Sequence, residues 1–480
     1  MKTLEPSSVW NYFHEITQIP RPSKKEERII AYLKAFGEKY QLETKSDNAG
    51  NVLICKPASG GIKSDKTIVL QSHIDMVCEK NGDVIHNFDT DAIQTYIEDD
   101  WVKARGTTLG ADNGIGMSMM LAVLSSRKLV HPALECLFTV DEETGLTGAF
   151  ALENNFLTGK VLINLDSEDD GEIFVGCAGG IDTTAHLKYK IENAPEKYFG
   201  FSVSVKGLTG GHSGDDINKG LGNANKILNR FLWNVNKRMD LRLSSFDGGN
   251  LRNAIAREAV AIGCIPYSEK ENLRIMFNHF VVDVEQEFGM LEPKMRLDLD
   301  SEPLFEKVFD KCTSNTLLNV LYACPHGVIA MSLDMPGLVE TSTNLASVKM
   351  KSEGIIEITT SQRSAVETSK IDIANQIEAV FTLAGATASH GDGYPGWKPN
   401  LNSEILKVAK SCYTKLFGNE PKVRAIHAGL ECGLFLEKYP FLDMISIGPQ
   451  MYGVHSPDER LSISSTQKCW KWLTKILEES

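Results

Sequence analysis

The stretch KTIVLQSHIDMVCEKNG, residues 66–82, decides how the chain is read. An apolar run from Thr67 to Leu70 leads into His73 and Asp75 and then into a Lys-Asn-Gly turn. Residues two apart on a strand point to the same side, so imidazole and carboxylate share one face where the chain leaves a sheet. Open α/β sheets hold their ligands at that place. Taken alone, a histidine near a strand end is more often a locally hydrogen-bonded side chain than a ligand, so the rest of the chain has to decide.

Two more apolar strands end in the same chemistry. ALECLFTVDEETG closes on Asp141, Glu142 and Glu143, GKVLINLDSED closes on Asp166, and TTLGADNGIG puts Asp112 in a Gly-rich loop that opens a helix. A parallel sheet gathers its strand ends along one edge, so these groups can meet in one crevice. That many carboxylates would repel one another and drive their pKa values upward or apart without a cation. One histidine with several carboxylates suits zinc, manganese or cobalt better than a thiolate site or an all-oxygen calcium cage. The ligands outnumber what one tetrahedral ion can use, which points to a two-metal site. A second imidazole comes from His455 in GPQMYGVHSPDER, after the apolar strand MISIGP. Glu142 and Glu143 are neighbours and cannot point the same way on an extended chain. One can therefore bind metal while the other takes a proton from an activated water and passes it to a leaving amine. Asp75 fits the role of orienting His73.

Around these motifs, helical patterns alternate with short apolar runs, which predicts an α/β catalytic domain with a mixed, mostly parallel sheet flanked by helices. Its first segment is expected over residues 1–185. From about His186 the pattern alternates like antiparallel strands, predicting an inserted α+β domain over 186–397. Similar strand and helix material recurs there without a definable period. Within it, GDDINKGLGNANKILNRFLWNV reads as a helix. The Gly and Pro cluster GDGYPGWKPN marks the return, and residues 398–480 are expected to complete the first domain's sheet.

The bulk numbers narrow the class. With 480 residues and 42% hydrophobic composition the chain can bury a sizeable core, and at this length two domains are expected. A formal charge of -13 argues against nucleic acid and anionic membrane surfaces as partners. The N-terminus has no apolar h-region and no stretch reaches spanning length, which predicts a cytoplasmic protein. The ten cysteines are scattered without a C-x-x-C pair, so free thiols are expected.

Taken together, SHIDMVCEK, TTLGADNGIGM, TVDEETGLTGA, INLDSED, GGHSGDDI, HAGLECGLF and GVHSPDERL resemble the motifs of the aminoacyl-histidine or cytosol non-specific dipeptidases. These are co-catalytic two-zinc peptidases, and the likeness runs from the N-terminal helix to the last strand. It implies two divalent ions per subunit, zinc first, with manganese or cobalt as alternatives. Asp112 would bridge them, with His73 and Asp166 on one ion and Glu143 and His455 on the other. Glu142 would be the general base and acid, and Asp75 the partner of His73. The inserted domain over 186–397 would be a lid that also serves dimerisation, and its His212, in GGHSGDDI, would stabilise the oxyanion of the tetrahedral intermediate. Asn253 and Arg363 are further substrate-binding candidates, because a guanidinium holds a dipeptide carboxylate by two hydrogen bonds. Glu431 would read the free amino end, with His427 a weaker candidate beside it. The implied activity is metal-dependent hydrolysis of unblocked dipeptides, Xaa-His among them, by a homodimer. The alternatives are a deacylase or tripeptide aminopeptidase of the same fold and a non-catalytic metal-binding protein.

Overall fold

The computed structural model describes residues 1, 3–61 and 66–480. The chain divides into two compact units, one of Met1–Cys177, Trp397–Ala425 and Leu430–Ser480, the other of Ala178–Gly396 with Ile426–Gly429. The passage into the second unit comes earlier than the expected 185/186 boundary. Gly179–Lys188 forms a strand that pairs along its length with Ile355–Ser364 of the second unit's sheet.

In the first unit, among the described residues, eight strands run in the order Glu43–Ser46, Val52–Lys56, Ala133–Thr139, Thr67–His73, Val161–Asn164, Asp443–Ser446, Glu172–Cys177 and Lys422–Ile426. Thr67–His73 lies parallel to both of its neighbours, and Asp443–Ser446 is parallel to Val161–Asn164. The flanking pairs recorded on either side of this centre are antiparallel. The sheet is therefore mixed, and its parallel centre carries the motif-bearing strands side by side. Ile68, Val69 and Leu70 are fully buried, as expected where both faces of a parallel sheet are covered. The helix Ala111–Ser125 is apolar almost all round and buried over most of its length, and Ser7–Thr17 packs against it.

A smaller sheet orders Met451–Tyr452, Arg460–Ser462, Trp101–Ala104 and Thr95–Glu98. Its first two strands bracket the loop that carries His455. The Arg460 guanidinium lies 5.3 Å from the Trp101 ring and 5.2 Å from the Tyr452 ring, which clamps the base of that loop.

The second unit resolves the recurrence seen in the sequence as a duplication of topology. One half is strand Tyr198–Lys206, helix Ala224–Arg238, strands Arg242–Gly248 and Ala259–Pro266, helix Lys270–Phe288 and strand Arg296–Glu302. The other is strand Gly179–Lys188, helix Lys311–Ala323, strands Val339–Lys351 and Ile355–Ser364, helix Glu367–Leu383 and strand Thr387–His390. In each half these four strands lie in the spatial order fourth, first, third, second, and the two second strands meet at Gly248 and Val348 to make one continuous sheet, to which the second half adds Gly327–Met331, paired with Val339–Lys351. The first half is spliced into the second just after its opening strand.

The helix read over GDDINKGLGNANKILNRFLWNV begins only at Ala224. Gly220 has φ of 73° and the Asn223 side chain accepts the Lys226 N–H, so the Gly-rich part is turn and the asparagine caps the helix. All ten cysteines are free. Among the described residues no helix is long and apolar enough to cross a membrane.

Candidate functional site

The parallel strands deliver their C-terminal ends to one edge of the first unit's sheet. His73 is the last residue of its strand and is 1% exposed. Its Nε2 lies 2.9 Å from Asp112 Oδ1 and 3.4 Å from Asp166 Oδ1. The other oxygen of Asp112 lies 3.2 Å from His455 Nε2, and that nitrogen is 3.0 Å from Glu143 Oε2. Asp112 thus divides its two oxygens between two imidazoles. Two groups, His73-Asp112-Asp166 and Asp112-Glu143-His455, each present converging ligand atoms within 4.8 Å of one another, and Glu142 joins His73 and Glu143 in a third. All five residues expected as ligands meet here, together with Glu142 and Asp75.

The chain builds this geometry locally. Asp112 stands where the helix Ala111–Ser125 opens out of a Gly-rich loop, with non-helical φ/ψ and a cis peptide to Asn113. Glu142 and Glu143 follow Asp141, which has φ of 48° and turns the chain sharply off its strand. His455 also has positive φ, 62°, at the tip of the clamped loop. Asp75 lies beyond the strand end, with Oδ1 3.2 Å from His73 Nδ1, a close ionic contact in which the ring N–H is not aligned as a hydrogen bond. Asp75 also accepts hydrogen bonds from Ser23 Oγ and from the N–H groups of Glu142 and Glu143 at 2.8, 3.0 and 3.2 Å. One carboxylate therefore fixes both the first imidazole and the glutamate pair.

The electrostatics describe a site assembled for cations. Burial opposes charge on His73, but Asp166, Asp112 and Asp75 outweigh it and hold the imidazolium well above the ordinary range. His455 is raised to about 11 by its contacts with Asp112 and Glu143. Burial pushes Glu142 well above a normal carboxyl and also raises Glu143 and Asp166. Asp112 goes the other way, since its two histidine partners overcome its burial. Asp75 is held at about 2 against burial by His73, Ser23 and the Glu142 N–H. Glu143 Oε1 is buried with no hydrogen-bond partner. A nitrogen and oxygen donor set, one shared carboxylate and an unpartnered buried oxygen fit divalent zinc, manganese or cobalt.

Glu431 belongs to this unit and starts the helix Glu431–Lys438. Its Oε2 accepts from Gln71 Nε2 at 2.6 Å and Thr139 Oγ1 at 3.0 Å, while Oε1 is buried without a partner. Burial lifts this carboxyl to about 8.

The second unit gathers the remaining candidates. Arg363 is buried, and its guanidinium donates to Tyr394 Oη at 3.0 Å and Ser213 Oγ at 3.4 Å and lies 3.3 Å from His212 Nε2, all neutral groups. The N–H groups of Gly214 and Asp215 face His212 Nδ1 at 3.3 Å. Burial and Arg363 lower the His212 pKa, which keeps the ring neutral. The backbone of Asn253 accepts from the Ser213 N–H at 2.8 Å, which puts Asn253 beside the histidine loop. His427 stands apart from this chemistry as a buried neutral ring against Ser342 Oγ at 2.7 Å, its pKa lowered to about 3 mainly by burial.

Three contributors escaped the sequence reading. Asn113 donates from its side chain to Asp166 Oδ1. Arg21 and Glu459 are both buried at 2% exposure and reach the loop before Asp112 through its backbone. Asn113 and Glu459 lie inside motifs already singled out. Arg21 sits in IPRPSKKE, where nothing distinguishes it from surface charge.

Residues 69–479 match Peptidase family M20/M25/M40. The chain belongs to this family. It is 43% identical over 479 residues to the cytosol non-specific dipeptidase of Escherichia coli (strain K12), covering 100% of this chain and 99% of the relative. Among solved structures it is similar to an aminoacylhistidine dipeptidase from Vibrio alginolyticus, with a TM-score of 0.93, 41% identity and coverage of 100% of this chain and 97% of that one. An aminopeptidase, PepT, from Bacillus cereus is similar at a TM-score of 0.57 and 16% identity over 99% of both chains, a likeness of fold alone.

Proposed function

We propose that the chain is a metal-dependent dipeptidase acting on unblocked dipeptides, Xaa-His among them. The observation that carries the reading is Asp112 shared between two histidine-carboxylate triads, with Glu142 beside them and outside both. In this proposal His73 and Asp166 would hold one divalent ion and Glu143 and His455 a second, with Asp112 common to both groups. When bound, such a pair polarises the scissile carbonyl and lowers the pKa of an attacking water. Glu142 accepts the proton of that water and returns it to the leaving amine, and its raised pKa suits a group that must hold a proton between the two events. Asp75 keeps the His73 ring oriented.

For the substrate we propose Arg363 as the group that takes the dipeptide carboxylate. Its support is a buried guanidinium whose hydrogen-bond partners are neutral, so a carboxylate would supply the missing counter-charge. His212, neutral and with Nδ1 facing two backbone N–H groups, is the proposed Nε2–H donor to the substrate, supported by Asn253. Glu431, with one oxygen unpartnered, is the proposed acceptor for the free amino end.

The test is hydrolysis of Ala-His, β-Ala-His and N-acetyl-Ala by chelator-stripped protein with and without zinc, manganese or cobalt. Restored cleavage of the free dipeptides alone is expected. Cleavage of the acetylated compound alone would favour a deacylase, and no turnover with any metal would favour a non-catalytic metal protein.

A second expectation concerns protons. Both imidazoles are protonated in the metal-free site, His455 up to about 11, and must lose that proton to become ligands. Metal binding at neutral pH therefore releases protons, and affinity rises as pH increases. Calorimetry in two buffers of different ionisation enthalpy measures this, and identical heats in both would remove the histidines from the ligand set.

A further inference from the structure

The loop before Asp112 is held by two buried charges that belong to neither triad. Glu459 Oε2 accepts the N–H groups of Leu109 at 2.6 Å and Gly110 at 3.0 Å, and Oε1 accepts those of Ala111 at 2.7 Å and Asp112 at 3.4 Å. The same backbone is gripped from its carbonyl side, because Arg21 donates to the oxygens of Gly110, Ile74 and Asp75. A Cβ at Gly110, where φ is 69°, would stand 2.6 Å from Arg21 Nη2, so the glycine there gives the guanidinium room.

A carboxylate on the opening N–H groups of a helix could be no more than a cap. The position of Glu459 in the chain says otherwise. It closes the loop whose tip is His455, and its own N–H is bonded to Ser456 O at 3.1 Å within that loop. One residue therefore ties the backbone of Asp112 to the loop that carries His455, across the 3.2 Å approach of Asp112 Oδ2 to His455 Nε2. His73 reaches Asp112 from a different strand and does not depend on this tie.

We propose that Glu459 is the positioning residue that sets the spacing of the Asp112-Glu143-His455 triad, with Arg21 as its counterpart on the carbonyl side. The inference rests on the two-metal reading above. Asp112 belongs to both triads but the His455 loop to one, so loss of the tie weighs more heavily on the Asp112-Glu143-His455 triad. In Glu459→Gln, an amide N–H₂ is set against backbone donors, so half of the acceptor capacity is lost.

The experiment is a titration of apo protein with cobalt and then zinc against a competing chelator, following bound metal and the cobalt absorption spectrum without substrate. Wild-type protein is expected to bind two ions. Glu459→Gln is expected to bind the first within about threefold of wild type and the second roughly 10–100-fold more weakly, the range for groups that orient metal ligands. Glu459→Asp keeps the charge but is too short to reach both N–H pairs, and should give the same split. Equal affinities at both sites in the variants, or equal losses at both, overturn the proposal, as does loss of cooperative unfolding in both apo variants. A wild-type protein that binds no metal defeats the two-metal reading instead.

Discussion

Glu142→Gln is expected to leave metal affinity near that of wild type and to lower kcat by roughly two to four orders of magnitude, the range for a lost general acid and base, if Glu142 has the proposed role. The structure separates this glutamate from its neighbour. Glu143 Oε2 contacts His455 and lies in the triad around Asp112, while Glu142 joins only the group with His73 and Glu143. The amide preserves shape and removes the proton acceptor, so the loss should fall on kcat more than on KM. The measurement is steady-state hydrolysis of a dipeptide beside a chelator titration of the same preparation. Turnover within threefold of wild type would take the role from Glu142.

Asp112→Asn acts on binding instead. Each oxygen of Asp112 serves a different imidazole, so the substitution strikes both triads at once. Affinity for both ions is expected to fall by more than roughly 100-fold, beyond what loss of an orienting group brings. The apo protein offers an independent check. His455 owes its pKa of about 11 first to Asp112 and then to Glu143, so removing the charge on Asp112 should lower it. An NMR titration of the metal-free variant reads that directly, and an unchanged His455 would mean that the contact does not exist in solution.

The part of this site legible in the sequence was the part that obeys a short-range rule. His73 and Asp75 stand two apart where a strand runs out, and their facing one another follows from backbone geometry. Asp141 to Glu143 and Asp166 end strands adjacent to that one, so a parallel sheet was enough to bring them together. Glu459 and Arg21 obey no such rule. Their partners are main-chain groups hundreds and tens of residues away, and main-chain groups carry no sequence signature. The duplication in the second unit was hidden for a related reason. What repeats there is the order of strands and helices, and the splice separates the opening strand Gly179–Lys188 from the rest of its half. The early end assigned to turn rather than helix before Ala224 shows the converse, where glycine spacing outweighs an apolar pattern.

The central sheet of the first unit has a consequence for how such a chain comes into being. Asp443–Ser446 is the parallel partner of Val161–Asn164, and the whole of the second unit's main segment is made between them. During synthesis the edge at Val161–Asn164 waits for a strand that leaves the ribosome much later, and loop-closure entropy must be met before that pairing returns anything. His455 follows that strand. The second triad is thus among the last features to exist, and a nascent chain holds an incomplete set of candidate ligands until the first unit's sheet is nearly finished.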